Sequence, residues 1–441
     1  MNDISSTNRE GFLVEKSQRV LLDFLKEGIV PATGCTEPIA VAYAVARARK
    51  ESQGKELERI EVQVDSNLYK NGLMVTIPGT SEKGLLPAAA FGFLAGKTEK
   101  GFRVIEGLTE KDIRDAQLLL AQNKIQVTLN QEYIGLHIEV ILFTDLEKIR
   151  VITKDRHLNI ISVEKIPKDE HFKPFIIKDT KKKDSDKKIQ EYSLEDFLNF
   201  SNDISLKELS FLEEGITMNM TIAREGLTIE HGVSNSLTEL IKDGLISDNM
   251  VTRAQVLCAA ASEARMAGSR FPVMSVAGSG NHGITVFLTN YAVAEKESLP
   301  RESLLRSLAL TSLITFFIKS YTGTLSAMCG CGVAAGIGAS AGVVYLLGGN
   351  KEQIMGALFN MVGSISGVIC DGAKEGCAYK LALASGWAVQ SALLSWKGAI
   401  IHNTDGIAAP GFKQLFQNLG YLCDPGMIAT DKAILDIMLK K

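Results

Sequence analysis

The chain has 441 residues, enough for two or three domains, and its 46% hydrophobic and 22% charged content is that of an ordinary globular protein. Its 48 basic residues nearly balance 51 acidic ones, a net charge of −3, which gives no electrostatic basis for binding nucleic acid or an anionic membrane. Seven cysteines, an odd number, follow an N-terminus without the apolar run of a secretory signal, so the expectation is a cytoplasmic protein with reduced thiols.

Residues 15–30 carry the apolar period of an amphipathic helix that ends near Gly28 and Pro31. An Ala-rich helix is expected over 38–50, where the closing Arg-Ala-Arg-Lys suits the negative end of the helix dipole. Ile60–Val64 and Leu136–Phe143 alternate as strands, and 73–77, 148–153 and 158–163 read the same way. Helical patterns over 85–95 and 109–122 lie among them, so 56–177 is expected to form a smaller α+β domain. The charge-dense Lys-Asp-Thr-Lys-Lys-Lys-Asp-Ser-Asp-Lys-Lys from Lys178 predicts a solvated linker over 178–191. From 192 to 441 the helical period dominates, in long Ala-, Leu- and Gly-rich segments without an internal repeat. The fold class is therefore α+β. A mainly α-helical C-terminal domain is joined by N-terminal helices over 1–55, with the mixed domain inserted between them.

Gly332–Leu347 is almost uncharged and contains the GxxxG pair Gly338 and Gly342. It is shorter than the roughly 20 residues a spanning helix needs, and it is dominated by Gly, Ala and Ser. It is expected to be a closely packed core helix and not a membrane span. Small-residue helices of this kind can also pack across a homodimer interface.

Four cysteines fall within about fifty residues: Cys329, Cys331, Cys370 and Cys377. Grouped thiolates are soft ligands suited to zinc or an iron–sulfur cluster. The C-x₂-C pairs and neighbouring histidines of structural zinc sites are missing. If Cys329 and Cys331 lie on a helix, their side chains point about 200° apart, and only one can face a shared centre. On a continuous helix Cys370 and Cys377 would stand about 10.5 Å apart along the axis, so a turn is required between them, and Gly372 and Gly376 allow it. The expectation is three protein ligands: one of the 329/331 pair, Cys370 and Cys377. The competing reading is four buried packing cysteines. Cys258 and Cys423 default to packing.

Cys35 sits in Gly34-Cys-Thr-Glu-Pro38, ahead of the second helix. Thr36 is a good N-cap, Glu37 suits the positive helix end and Pro38 belongs in a first turn. This places Cys35 where a helix dipole lowers a thiol pKa, as a nucleophile, a base or a further ligand. Gly278-Ser-Gly-Asn-His-Gly283 can form a nest of amides for a small carboxylate or phosphate, with Ser279, Asn281 and His282 alongside. Its spacing is not the dinucleotide fingerprint. Lys374 and Lys380 invite a Schiff-base reading, although charge compensation beside the thiols is the simpler role for them.

Together, GCTEPIA (34–40), GSGNHG (278–283), CGCGVAAGIGA (329–339) and CDGAKEGCAYK (370–380) resemble the L-cysteine desulfidase family, related to the iron–sulfur L-serine dehydratase α chain. The resemblance runs through nearly the whole chain. It implies a lyase that holds a [4Fe-4S] cluster by three cysteines with one iron open. Such an enzyme cleaves L-cysteine to sulfide, ammonia and pyruvate without pyridoxal phosphate. By that resemblance the ligands are Cys329, Cys370 and Cys377, and Cys35 takes the Cα proton. Ser279, Asn281 and His282 are placed as substrate-binding residues. The nearest alternative is L-serine dehydratase with the same cluster. A non-catalytic iron–sulfur or zinc sensor would use the cysteines but would need neither Cys35 at a helix start nor the anion nest.

Overall fold

The computed structural model describes residues 18–133, 135–175 and 188–440; the linker expected over 178–191 lies outside the described residues up to position 187. Helix α1 (18–28) leads into strand β1 (Ile29–Ala32) and helix α2 (Thr36–Glu51). The mixed region follows as β2 (Leu57–Val64), α3 (Ser66–Gly72), α4 (Leu85–Ala95), α5 (Glu110–Ala121), β3 (Ile125–Leu129), β4 (His137–Thr144), β5 (Glu147–Lys154) and β6 (Ile160–Pro167).

Five of these strands form one sheet in the order β3-β2-β4-β5-β6, with β2 and β3 parallel and the other pairs antiparallel. The strict alternation of Ile60-Glu-Val-Gln-Val64 is the reason: Ile60, Val62 and Val64 are fully buried, and the residues between them are not. Helices α2, α4 and α5 share a core with the buried side of the sheet. Leu73–Ile77, expected as a strand, joins no sheet. Val75 and Ile77 are buried, which produces the strand-like pattern, but the chain turns back so that Thr76 pairs only with Lys83. Of residues 1–55, expected to pack together with the helical part, those described from 18 on divide: Leu21, Leu22 and Leu25 of α1 lie in the helical core, whereas α2 lies in the core of the sheet.

The C-terminal part consists of α6 (Leu194–Asp203), α7 (Leu206–Leu209), α8 (Phe211–Gly226), α9 (Val233–Lys242), α10 (Met250–Met266), β7 (Val273–Val276), α11 (Gly280–Lys296), α12 (Arg301–Thr322), α13 (Ala334–Leu346), α14 (Lys351–Ile365), α15 (Cys377–Trp396), α16 (Phe412–Cys423) and α17 (Ile428–Leu439). Helix α13 is buried along its length except at Tyr345. Its GxxxG pair lets neighbours approach closely: a Cβ on Gly342 would lie 2.0 Å from Thr311 Oγ1 of α12 and 2.5 Å from Asn290 Oδ1 of α11. Among the described residues, α12 is the one helix long and apolar enough to cross a membrane, and 78% of that stretch is buried inside the fold.

The element that matters most for the site is small. Strand β7 pairs antiparallel with β1, matching Ile29 with Val276 and Ala32 with Val273. This ladder sets the start of α2 beside the start of α11.

Candidate active site

Each strand of the β1–β7 ladder ends in a sharp turn into a helix. Gly34 has φ +69, and Ala277 and Gly278 have φ +50 and +75, a conformation that suits glycine. The turn after β7 delivers Ser279 as the N-cap of α11, so Gly280-Asn-His-Gly283 is the first helical turn and not a free loop. Among the described residues, the amides of Gly280, Asn281 and His282 have no backbone acceptor, as expected at a helix start. They form the positive end of a 17-residue helix.

Cys35 corrects one expectation. It is itself the N-cap of α2, with Thr36 as the first helical residue. Its thiol donates to Glu37 Oε2 at 2.8 Å. Burial, and then the adjacent Glu37 carboxylate, push the thiol well above its ordinary pKa, against an opposing pull from Arg265. The helix dipole is outweighed, and Cys35 is a protonated donor. Glu37 is the charged partner: burial alone would raise it, but His157 beside it and the Cys35 bond hold it at about 2. His157 Nε2 stands 3.8 Å from Glu37 Oε1.

The two cysteine segments meet through a short bridge. Met328 pairs with Ile369, Cys329 N–H donates to Val368 O at 2.8 Å, and Cys370 N–H donates to Ala327 O at 2.6 Å. Cys329 and Cys331 lie in a turn ahead of α13, not on a helix. The helical separation of about 200° therefore does not apply, and each thiol acts on the other's ionisation, lowering Cys329 and raising Cys331. Cys329 also accepts from Gly332 N–H at 3.4 Å. Between Cys370 and Cys377 the chain is non-helical, with φ +90 at Gly372, and Cys377 opens α15.

Further contacts join the thiols to Cys35 and to α11. Asn71 of α3 donates to Glu37 Oε1 at 3.3 Å, and its Oδ1 lies 3.5 Å from Cys370 Sγ. Cys35 and Cys377 share one small apolar cluster. Ser279 Oγ is 3.8 Å from Cys331 Sγ. A Cβ on Gly330 would lie 2.6 Å from His282 Nε2 and 3.3 Å from Lys319 Nζ, so only glycine allows the cysteine turn this close to α11. His282 Nδ1 lies 3.1 Å from Val276 O; because a carbonyl only accepts, Nδ1 carries the proton and Nε2 is a bare acceptor. Burial, and then Lys319, push its pKa down to about 3, so it is neutral.

Sequence reasoning missed Asn71, His157, Arg265 and Lys319, which sit in no recognisable motif. Arg265 Nη1 donates to Asn281 Oδ1 at 2.9 Å and Nη2 to Gly34 O at 2.6 Å. Lys319 is partly buried, and the surrounding thiols of Cys423, Cys331, Cys370 and Cys329 partly offset the fall in pKa that loss of solvent imposes. Cys423 thus faces the same ammonium as the cysteine turn. Cys258 is plain packing, fully buried against Ile284 O and Thr289. Lys374 and Lys380 both pair with Asp371. Burial would lower the Lys380 pKa, but Asp371 raises it, the opposite of what an amine nucleophile needs.

The donor set fits an iron–sulfur cluster. The thiols of Cys329, Cys331 and Cys370 lie within electrostatic reach of Lys319, and Cys329 and Cys370 within reach of Lys380, cations that offset the charge of bound thiolates. Among the described residues, no three His, Cys, Asp or Glu side chains are gathered tightly enough to share one metal ion. A tetrahedral zinc would need sulfurs about 3.8 Å apart, from Zn–S bonds of about 2.3 Å. A cubane places each thiolate on a separate iron and takes a wider spacing.

Residues 99–436 match the family described as serine dehydratase alpha chain. The chain is 42% identical over 438 residues to a UPF0597 protein of Clostridium tetani, covering 98% of this chain and 99% of that one. A UPF0597 protein of Caldanaerobacter subterraneus subsp. tengcongensis is 42% identical over 433 residues, covering 97% and 100%. One from Clostridioides difficile is 39% identical over 424 residues, covering 95% and 98%.

Proposed function

Because the chain belongs to the serine dehydratase alpha chain family, a family of lyases, we propose that it is an L-cysteine desulfidase. It would cleave L-cysteine to sulfide, ammonia and pyruvate without net redox change. The observation that carries this reading is the meeting of the Cys35–Glu37 pair with the cysteine turns through Asn71.

Cys329, Cys370 and Cys377 would hold a [4Fe-4S] cluster, which when bound supplies a Lewis-acidic iron for the leaving sulfur. The chain's own residues do the rest. The positive end of α11, with Ser279 and Asn281, faces the substrate carboxylate. His282 Nε2, a bare acceptor, suits the substrate ammonium. Cys35 takes the Cα proton as a thiolate, after its own proton has left, and the 2.8 Å contact with Glu37 Oε2 fixes where its sulfur stands. Asn71 steadies Glu37 from its other oxygen. Loss of the Cα proton and of the Cβ–S bond leaves 2-aminoacrylate, which tautomerises and hydrolyses to pyruvate and ammonia.

The family match also favours a second reading, L-serine dehydratase, with hydroxide as the leaving group. Anaerobic reconstitution with iron and sulfide, followed by sulfide release from L-cysteine and pyruvate formation from L-serine, decides between them. Faster turnover of L-cysteine is expected. Turnover of L-serine alone would replace the desulfidase reading with the second. Full activity in a Cys35→Ser variant that keeps its iron would remove Cys35 from the mechanism.

A further inference from the structure

Arg265 is a buried cation without an anion. Its side chain comes from the last turn of α10 and the residue is 3% exposed. Its two hydrogen bonds go to neutral oxygens, Asn281 Oδ1 and Gly34 O, and Nε has no partner. Among the described residues, no carboxylate lies within ion-pair distance of it. Glu37, the nearby acid of the site, is already engaged by Cys35, Thr36 and Asn71.

The guanidinium is also placed against the wrong end of a helix. A Cβ on Gly280 would lie 2.5 Å from Arg265 Nε, so the cation rests on the first residue of α11. The amides of Gly280, Asn281 and His282 already carry partial positive charge there. A buried charge without a counter-ion costs several kcal/mol, and a second positive end beside it adds to that cost. An anion between them would remove both penalties. Arginine presents planar paired donors matched to a carboxylate.

We propose that Arg265, with the α11 amides, is the anchor for the α-carboxylate of a small amino acid. The inference rests on the lyase reading for its choice of ligand. The placement agrees with that chemistry, because Arg265 is close enough to act electrostatically on Cys35, the residue that would face the Cα proton. Asn281 also orients Arg265 through its Oδ1. Gly280 is required because any side chain there would displace the guanidinium.

The test is calorimetric binding of L-alanine, which has the carboxylate and ammonium but no leaving group, and of L-alaninamide, which lacks the carboxylate. Full-length protein is used, with and without reconstituted iron. Wild type should bind L-alanine and bind L-alaninamide far more weakly. Arg265→Met should weaken L-alanine binding roughly 30- to 100-fold, the loss of one buried charge-assisted contact. Arg265→Lys, which keeps the charge but loses the planar fork, should fall between, and it stands in if the Met variant does not fold. In turnover the same variants should raise KM for the amino acid more than they lower kcat. Equal binding of L-alanine and L-alaninamide by wild type, or undiminished L-alanine binding in the folded variants, overturns the anchor. Arg265-dependent binding of L-alanine without turnover of L-cysteine or L-serine would overturn the lyase reading and leave the anchor standing.

Discussion

Replacing Glu37 by Gln tests whether its carboxylate is what keeps Cys35 protonated. The substitution keeps an acceptor for the thiol and removes the charge. The Sγ···Oε2 distance of 2.8 Å sets the size of the effect. Two unit charges at that distance interact by about 1.5 kcal/mol at the dielectric of water and about 6 kcal/mol at an effective dielectric of about 20. The Cys35 titration should therefore fall by roughly 1 to 4 pH units, because the thiolate no longer forms beside an anion. Alkylation of the cluster-free protein by iodoacetamide, followed across pH on the peptide that carries Cys35, measures this without assuming a reaction. The wild-type thiol should react only toward alkaline pH, and the Glu37→Gln variant at lower pH. If the variant titrates at the same pH as wild type or above it, the carboxylate is not what holds the proton on Cys35.

Lys70 and Asp431 form an ion pair in which the side chains are 1% and 17% exposed. Asp431→Ala strands a buried ammonium and should cost about 3–5 kcal/mol. Lys70→Met removes the buried charge and leaves an aspartate that can reach water, so it should cost less in urea unfolding; the reverse order would refute the assignment. His137 is pushed down to about 4, by burial first and then by Lys154, from an ordinary value of 6.5. As pH falls below about 6.5 the unfolded chain takes the proton before the folded one, so stability should drop by roughly 3 kcal/mol between about pH 6.5 and 4. His137→Phe should lack that acid limb in unfolding measured across pH, and an unchanged limb would place its origin elsewhere. Serine at Cys329, Cys370 or Cys377 should abolish iron loading after reconstitution, whereas Cys331→Ser should retain it; iron loss in Cys331→Ser alone would exchange the two members of the pair.

Much of the fold follows from local pattern. The alternation in β2 and the amphipathic period of α5 reflect one buried face each, and that periodicity is written in adjacent residues. Leu73–Ile77 shows the limit, since a short run rich in β-branched residues reads alike in a buried loop and in a strand: Val75, Thr76 and Ile77 are all buried, yet they join no sheet. The short strands β1 and β7 leave no such trace, because a four-residue ladder between segments so far apart in the chain has no local period. Yet that pairing is what brings Cys35 and Glu37 beside the start of α11.

The chemistry divides in the same way. The sequence by itself determined the reactive inventory: grouped thiols, a cysteine before a helix, and glycines where the backbone must turn or come close. Only the tertiary structure decided how those groups behave. Burial and a neighbouring carboxylate overrode the helix dipole at Cys35, and a turn in place of a helix let Cys329 and Cys331 meet. Asn71, Lys319 and Arg265 entered the site from α3, α12 and α10. Ionisation, hydrogen bonding and charge compensation depend on distances of a few ångströms between residues far apart in the chain, and only folding sets those distances.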